Sequence, residues 1–499
     1  MIYSALQKLI DYSIKKNLIE DVDEIVIRNQ LIDALGLSDW QENSTVYTNE
    51  TIDEILDDIV NYACENGVVP DTANSRELFD TKIMGIVTAL PREVIKKFDE
   101  LYKNSPAVAT DWYFRYSQEL NYVRAGRIAK NLTWTYETKD YGTLDITINL
   151  SKPEKDPRDI ALAKKQQSSS YPLCALCSEN AGYAGRFNHP ARQNLRPIPM
   201  NVNGDKWEFQ YSPYGYYNEH CIVFNTEHIP MVIDKSVFDK LFDIIDYLPH
   251  YFVGSNADLP IVGGSILSHE HFQGGKYTFA MEKAPVEKAF EIKGFPNVKA
   301  GIVRWPMSVI RLASSDRKEL AECCEKVFQC WKTYTDEDAF IFAETENTRH
   351  STVTPIARKH GNEYECDIVL RNNITTEERP LGVYHPNPEL HNIKKENIGL
   401  IEVMGLAVLP ARLAKELVQI KDAIIKNENI NDIPELTLHA KWAEKVKANH
   451  PEICEENAMN ILEQEVGKVF MNVLEDAGVF KRTAEGQLAF MKFINCLNA

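Results

Sequence analysis

The sequence predicts an α+β chain: a mainly helical N-terminal region, two sheet-bearing units of similar element order, and a helical C-terminal region. Three observations predict it. Leucine and isoleucine recur at helical spacing from the start of the chain to about residue 130. From Tyr171 onward the text changes to short β-rich runs separated by turn residues. A helix, a strand, a loop and another strand then occur twice before about residue 410, which reads as a duplicated unit. The expected regions are 1–165, mainly helical with one β-hairpin; 166–295, the first sheet unit; 296–410, a degenerate second unit; and 411–499, helical.

Each element has a local reason. Ile2, Leu6, Leu9, Ile10 and Ile14 mark an amphipathic opening helix rather than a signal peptide. The apolar spacing continues to Leu35, where Gly36 is a stop. Further helices are expected over Ile52–Glu65 and Glu93–Tyr102. Leu132–Tyr136 and Leu144–Ile148 flank Asp140-Tyr141-Gly142 as a hairpin. Residues 151–170 are polar, end in three serines and read as a link with one short helix or as a solvated surface helix. Cys221–Phe224 is a buried strand, and Asp234 caps a helix with Val237, Phe238, Leu241, Phe242 and Ile245 on one face. Ile302–Leu312, Phe340–Phe342 and Val353–Ile356 are expected strands, and Ser315 or Asp316 caps a helix through Trp331. Leu413, Leu417, Ile420 and Ile424 open the C-terminal helices.

The composition narrows the function. The 499 residues are 44% hydrophobic and 26% charged, as in ordinary globular proteins with large cores. A net charge of −18 and the lack of a long Lys/Arg cluster argue against nucleic acid and anionic membranes as partners. A phosphorylated substrate would need a local positive site. No apolar run approaches the length that crosses a bilayer. Ten cysteines scattered through a long chain point to a reducing cytoplasm rather than to a disulfide framework.

The chemistry concentrates in Ser268-His269-Glu270-His271-Phe272-Gln273-Gly274-Gly275. If this segment is extended, His269, His271 and Gln273 share one face, while Glu270 and Phe272 take the other. A neutral imidazole attacks phosphorus well at neutral pH. A carboxamide hydrogen-bonds a phosphoryl oxygen without acting as an acid. The glycines let backbone amides approach an anion. Together they suggest a phosphoryl or nucleotidyl group carried on histidine. Glu270 should face away from the phosphate, to orient neighbouring loops, meet a basic residue or stand in solvent.

Upstream, Cys174-Ala175-Leu176-Cys177 offers two thiolates at the spacing of a tetrahedral zinc site. The other ligands must come from elsewhere, with His189, His220, His228 and His269 as candidates. A redox pair and two ordinary core cysteines are the competing readings. Arg186 to Pro197 packs three arginines and three side-chain amides into a short loop, suited to phosphates, a pyrimidine edge and ribose hydroxyls.

C-x-x-C, the Arg/Asn-rich loop, Cys221–His228, the Gly263-Gly264-Ser265 run and H-x-H-x-Q together resemble the galactose-1-phosphate uridylyltransferase family. The chain is most similar to its second, long-chain class, found in many Gram-positive bacteria. Asn149–Lys155, Tyr217–Cys221, Gly254–Pro260 and Lys395–Leu400 are typical of that class, and the likeness runs over essentially the whole chain. The resemblance implies tandem histidine-triad-like antiparallel sheet units with one active centre per chain. It implies that His271 is the nucleophile and that Gln273 holds the phosphoryl group. It implies a structural zinc on Cys174, Cys177, His228 and His269, and no organic cofactor. Asn256, Gly264 and Ser265 would line the phosphate path, and Arg186 and Asn188 the uridine side. The expected partners are UDP-glucose, UDP-galactose and the two hexose 1-phosphates, with a homodimer as the assembly. Two departures stand out. Glu270 occupies the place of a proline in the first class. No late H-x-H is present either, since His385 and His391 are six residues apart, which argues against a second, iron-type site.

Two other functions compete. A histidine-triad nucleotide hydrolase or phosphorylase would favour a histidine where Gln273 stands. A non-catalytic, zinc-stapled binding protein would carry no covalent nucleotide.

Overall fold

The structure is a computed structural model that describes residues 2–41, 47, 49–151, 169–264 and 266–499. In chain order the strands of its first half are β1 (Leu132–Glu137), β2 (Thr143–Ile148), β3 (Ile198–Val202), β4 (Asp205–Tyr211), β5 (Cys221–Asn225), β6 (Phe252–Gly254) and β7 (His271–Gly275). Those of the second half are β8 (Val286–Phe290), β9 (Lys299–Val303), β10 (Val309–Ser314), β11 (Glu344–Thr345), β12 (Thr348–Arg349), β13 (Ser351–His360), β14 (Glu363–Asn372) and β15 (Leu406–Leu409). Two compact units emerge: 1–130 with 151–215 and 219–229, and 131–150 with 216–218 and 230–499.

The first unit is helical, with a small antiparallel sheet. The opening helix Ile2–Lys15 buries Ile2, Leu6, Leu9 and Ile10 and packs on the Ile52–Glu65 helix. Thr51 starts that second helix through a capping box. Its hydroxyl accepts from the Glu54 amide at 3.3 Å, and its own amide donates to Glu54 at 2.7 Å. Gly36 ends the Glu24–Leu35 helix at φ +64°, the left-handed conformation that glycine adopts without strain. The sheet runs β3-β4-β5. Phe98, Tyr113, Phe209 and Tyr211 clasp it to the helices, with Tyr113 and Tyr211 rings 5.2 Å apart.

The second unit holds seven strands in the order β7-β6-β13-β14-β10-β9-β8, antiparallel at each pairing given for neighbours. A separate sheet, β1-β2-β15, adds one parallel pairing, between β2 and β15. Its core gathers Leu144, Ile146, Trp305, Leu406, Ala407, Leu413, Val466 and Phe470 from the hairpin, the sheet and the C-terminal helices.

The element order occurs twice. Three strands, a helix and two strands (β3, β4, β5, Lys235–Tyr247, β6, β7) are followed by three strands, a helix and two strands (β8, β9, β10, Arg317–Thr333, β13, β14). The copies differ in their last connection. Residues 255–270 join β6 to β7, whereas Gly361 and Asn362 alone turn β13 into β14. The glycines and the first histidine sit in that longer connection, so the second copy has no room for a matching centre.

Several expectations are corrected. Ile302–Leu312 is not one strand: β9 stops at Val303 and β10 starts at Val309, because Arg304 to Ser308 includes Pro306 and turns the chain. Phe340–Phe342 is not a strand either. Phe340 has φ +57° at the end of a short 3-10 turn, and Ile341 makes only an isolated bridge to Asp336. Asp316, not Ser315, caps the Arg317–Thr333 helix, accepting from the Lys318 and Glu319 amides at 2.9 and 3.0 Å. The expected link over 151–170 and most of the Asn149–Lys155 signature lie outside the described residues, apart from Asn149, Leu150, Ser151, Ser169 and Ser170.

Candidate metal knuckle and histidine centre

The C-x-x-C turn is built around its sulfurs. The Leu176 amide donates to Cys174 Sγ and the Cys174 amide to Cys177 Sγ, each at 3.4 Å. The two sulfurs stand 3.6 Å apart, and His228 Nδ1 is 3.2 Å from Cys177 Sγ. Cys174, Cys177 and His228, all in the first unit, thus bring two sulfurs and an imidazole nitrogen together. Thiolates about 2.3 Å from a tetrahedral zinc would stand roughly 3.8 Å apart, so the knuckle fits that ion in spacing and in donor chemistry. Burial pushes the Cys174 thiol up to about 11, so without a metal Cys174 keeps its proton and a metal would have to displace it.

His189 and His220, weighed as further ligands, are not in that group. His189 supports it from behind. Its Nε2 donates to Asn180 Oδ1 at 2.7 Å, and Asn180 Nδ2 donates to the Cys174 and Cys177 carbonyls, both at 2.8 Å. Burial, helped by Arg186 and Arg192, holds the His189 imidazole neutral with a pKa of about 4. Arg186 Nε donates to Asn188 Oδ1 at 2.7 Å, and its guanidinium also reaches the Tyr171 carbonyl and the Tyr183 hydroxyl.

The histidine segment departs from the expected alternation. His269 precedes β7, in a turn closed by its own amide on the Ile266 carbonyl at 3.3 Å, with Ile266 at φ +64°. Only His271 and Gln273 share a strand face. His271 is buried, and its Nδ1 lies 2.8 Å from the His269 carbonyl oxygen. A carbonyl only accepts, so Nδ1 carries the proton and Nε2 keeps the in-plane lone pair. Burial lowers the His271 pKa to about 4, against the raising effect of that bond. Glu270, the residue before β7, is neither solvated nor loose: Oε1 meets Lys240 Nζ at 2.5 Å inside the protein.

Next to this face lies a pocket of about 430 Å³, lined among others by Asn256, Gly264, Gln273, Glu396, Asn397 and Glu402. Gln273, Asn256 and Gly264 thus come together as expected, and His271 is two residues back along β7. Ser265 lies outside the described residues. Asn256 Oδ1 accepts from the Leu400 amide at 3.0 Å, which ties the β6 end to the Glu396–Glu402 turn. Glu402 is fixed by Lys394 at 2.7 Å and by the Gly399 amide at 2.9 Å. Lys395–Leu400, typical of the long-chain class in sequence, was not among the expected site residues. An acidic pair beside an Asn-x-Gly step was the available signal. Nε2 of His385 and Nε2 of His391 each donate to a backbone carbonyl, of Lys395 and of Pro386, at 3.0 Å.

A neutral imidazole held by Nδ1, a carboxamide on the same strand and a pocket with room for a sugar phosphate suit the class of a group transferase. The comparisons specify the family. The model for the N-terminal domain of galactose-1-phosphate uridyl transferase matches residues 17–230, and that for its C-terminal domain matches 244–444. The galactose-1-phosphate uridylyltransferase of Clostridium acetobutylicum is 53% identical over 100% of both chains. That of Halalkalibacterium halodurans is 50% identical over 99% of this chain and 98% of the relative, and that of Bacillus subtilis 47% identical over 100% and 98%. The chain belongs to the galactose-1-phosphate uridylyltransferase family. No helix among the described residues is long and apolar enough to cross a membrane.

Proposed function

We propose that the chain transfers uridylyl between UDP-glucose and galactose 1-phosphate by a ping-pong route through His271. The observation that carries this is the bond from His271 Nδ1 to the His269 carbonyl, which aims the Nε2 lone pair from the strand that also bears Gln273. Nε2 attacks the α-phosphorus of UDP-glucose, the N–P bond forms, and the P–O bond to glucose 1-phosphate breaks. A phosphate oxygen of galactose 1-phosphate then attacks the same phosphorus, releasing the imidazole and giving UDP-galactose. Both the leaving group and the second nucleophile are phosphates, which need neither an acid nor a base. Gln273 therefore serves as a hydrogen-bonding anchor where a hydrolase would need a proton donor. Positioning and charge stabilisation supply the rest of the rate.

Asn256, Gly264 and Ser265 receive the phosphates in this reading, and Arg186 and Asn188 the uridine side. The carboxylates of Glu396 and Glu402 repel phosphate and accept hydroxyl hydrogen bonds, so the sugar belongs beside them. Zinc on Cys174, Cys177, His228 and His269 holds the knuckle in shape. The proposal includes a homodimer and a cytoplasmic location. Incubation with UDP-glucose and labelled glucose 1-phosphate, without galactose 1-phosphate, tests the route. Label moves into UDP-glucose if uridylyl resides on the protein between half-reactions. Net transfer with no such exchange contradicts it.

A further inference from the structure

The residue between the two histidines is held in an unusual way. Glu270 is 5% exposed, and its partner Lys240 is 8% exposed on the helix Lys235–Tyr247. Lys240 lies on the helix face that also buries Val237, Leu241 and Ile244, where an apolar residue would serve the packing. A buried ion pair adds no stability over an apolar pair of similar volume, because desolvation cancels the attraction. What the pair adds is direction, since a 2.5 Å charge-assisted bond fixes where both side chains point.

That direction acts on the peptide that matters. The His269 carbonyl, which holds His271 Nδ1 at 2.8 Å, belongs to the peptide joining His269 to Glu270. Rotation of that peptide would swing the acceptor and turn the imidazole with it. The Glu270 side chain, clamped by Lys240, opposes this rotation one residue from the ring.

We propose that Lys240 and Glu270 are a positioning pair that sets the orientation of His271 through the His269–Glu270 peptide. The proposal rests on the reading of His271 as the nucleophile. Neither residue lines the pocket beside Gln273. Their substitution therefore changes the rate of the first half-reaction and leaves substrate affinity largely alone.

The test uses the full-length, zinc-replete protein and follows single-turnover uridylylation from UDP-glucose. Lys240→Met/Glu270→Met keeps the volume and removes both charges. It is expected to melt close to the wild-type temperature, with full zinc content and KM within about twofold. Its uridylylation rate is expected to fall by on the order of 10–100-fold, as when a group supporting a reactive residue is lost. Lys240→Glu/Glu270→Lys, which restores a pair of reversed polarity, is expected to recover part of that loss. Glu270→Gln, which keeps the side-chain shape but leaves Lys240 without its counter-charge, is expected to lose rate with zinc retained. A wild-type rate in the double methionine variant or in Glu270→Gln overturns the proposal, as does an equal loss with no recovery in the reversed pair. Failure of the wild-type protein to uridylylate overturns the nucleophile reading itself.

Discussion

Gly264→Ala is the perturbation that the pocket constrains most directly. A Cβ built on Gly264 would stand 2.5 Å from Asn256 Nδ2, 2.6 Å from its Cγ and 2.9 Å from its Oδ1. Ordinary contact would need about an ångström more, and Asn256 is 4% exposed with its Oδ1 committed to the Leu400 amide. The carboxamide must therefore swing away and leave that amide without its acceptor, at a cost of about 1–3 kcal/mol. The same swing displaces a wall of the pocket by about 1 Å, which costs on the order of 100-fold in rate. Urea unfolding and the kcat/KM of uridylyl transfer read the two effects. Gly264→Ala/Asn256→Ala removes the clash, so its stability should exceed the sum expected from the single variants. A Gly264→Ala protein with wild-type midpoint and wild-type kcat/KM would refute the reasoning.

Three further outcomes follow from the same geometry. Gln273→Ala removes the carboxamide donor on the nucleophile's strand face. It should cost about 10²–10³-fold in kcat with little change in folding, as measured by stopped assays and thermal melts. Cys177→Ser, or chelation of the wild-type protein, should abolish metal content as read by elemental analysis and lower the melting temperature by on the order of 10 °C. Full occupancy in the serine variant would exclude Cys177 as a ligand. Asp367 is buried between Arg358 at 2.7 Å and Arg311 at 2.7 and 2.9 Å. Burial raises its pKa, but the two arginines outweigh that and hold it below the usual 3.8. Its contribution is thus complete above the unfolded value and is lost as pH falls through the lower folded one. Asp367→Asn should cost about 3–5 kcal/mol at neutral pH, with the gap to wild type closing only below about pH 4 in acid titrations of stability. A gap that closes near neutrality would contradict this.

Elements with a strong local signal were legible. The Ile2–Lys15 and Ile52–Glu65 helices, the β1–β2 hairpin, the Gly36 stop and the Asp234 cap all follow from periodicity or capping that needs no partner. The doubled element order was legible only in part, since the second copy ends in β13, which contains Val353–Ile356, and β14, and not in a strand at Phe340–Phe342. Phe340–Phe342 misled because three apolar residues look alike in a strand and at the end of a 3-10 turn. His269 misled because a period-two pattern does not show where a strand begins, and a turn at Ile266 is set by tertiary context. A basic partner for Glu270 was one of the outcomes expected, but its identity was not legible, since nothing in an amphipathic helix says which distant carboxylate its one buried lysine will meet. The Glu396–Glu402 wall was similarly hidden, because Asn256 and Leu400 are joined only by the fold.

The central claim is that uridylyl rests on His271 Nε2 between the two halves of the reaction. Purified, zinc-replete protein should be mixed with UDP-glucose labelled at the α-phosphate, quenched in base and mapped by peptide mass spectrometry beside His271→Ala. The account predicts label on His271, none in the variant, and discharge by galactose 1-phosphate as UDP-galactose. Label on another residue, or on His271 but discharged only by water, would contradict it.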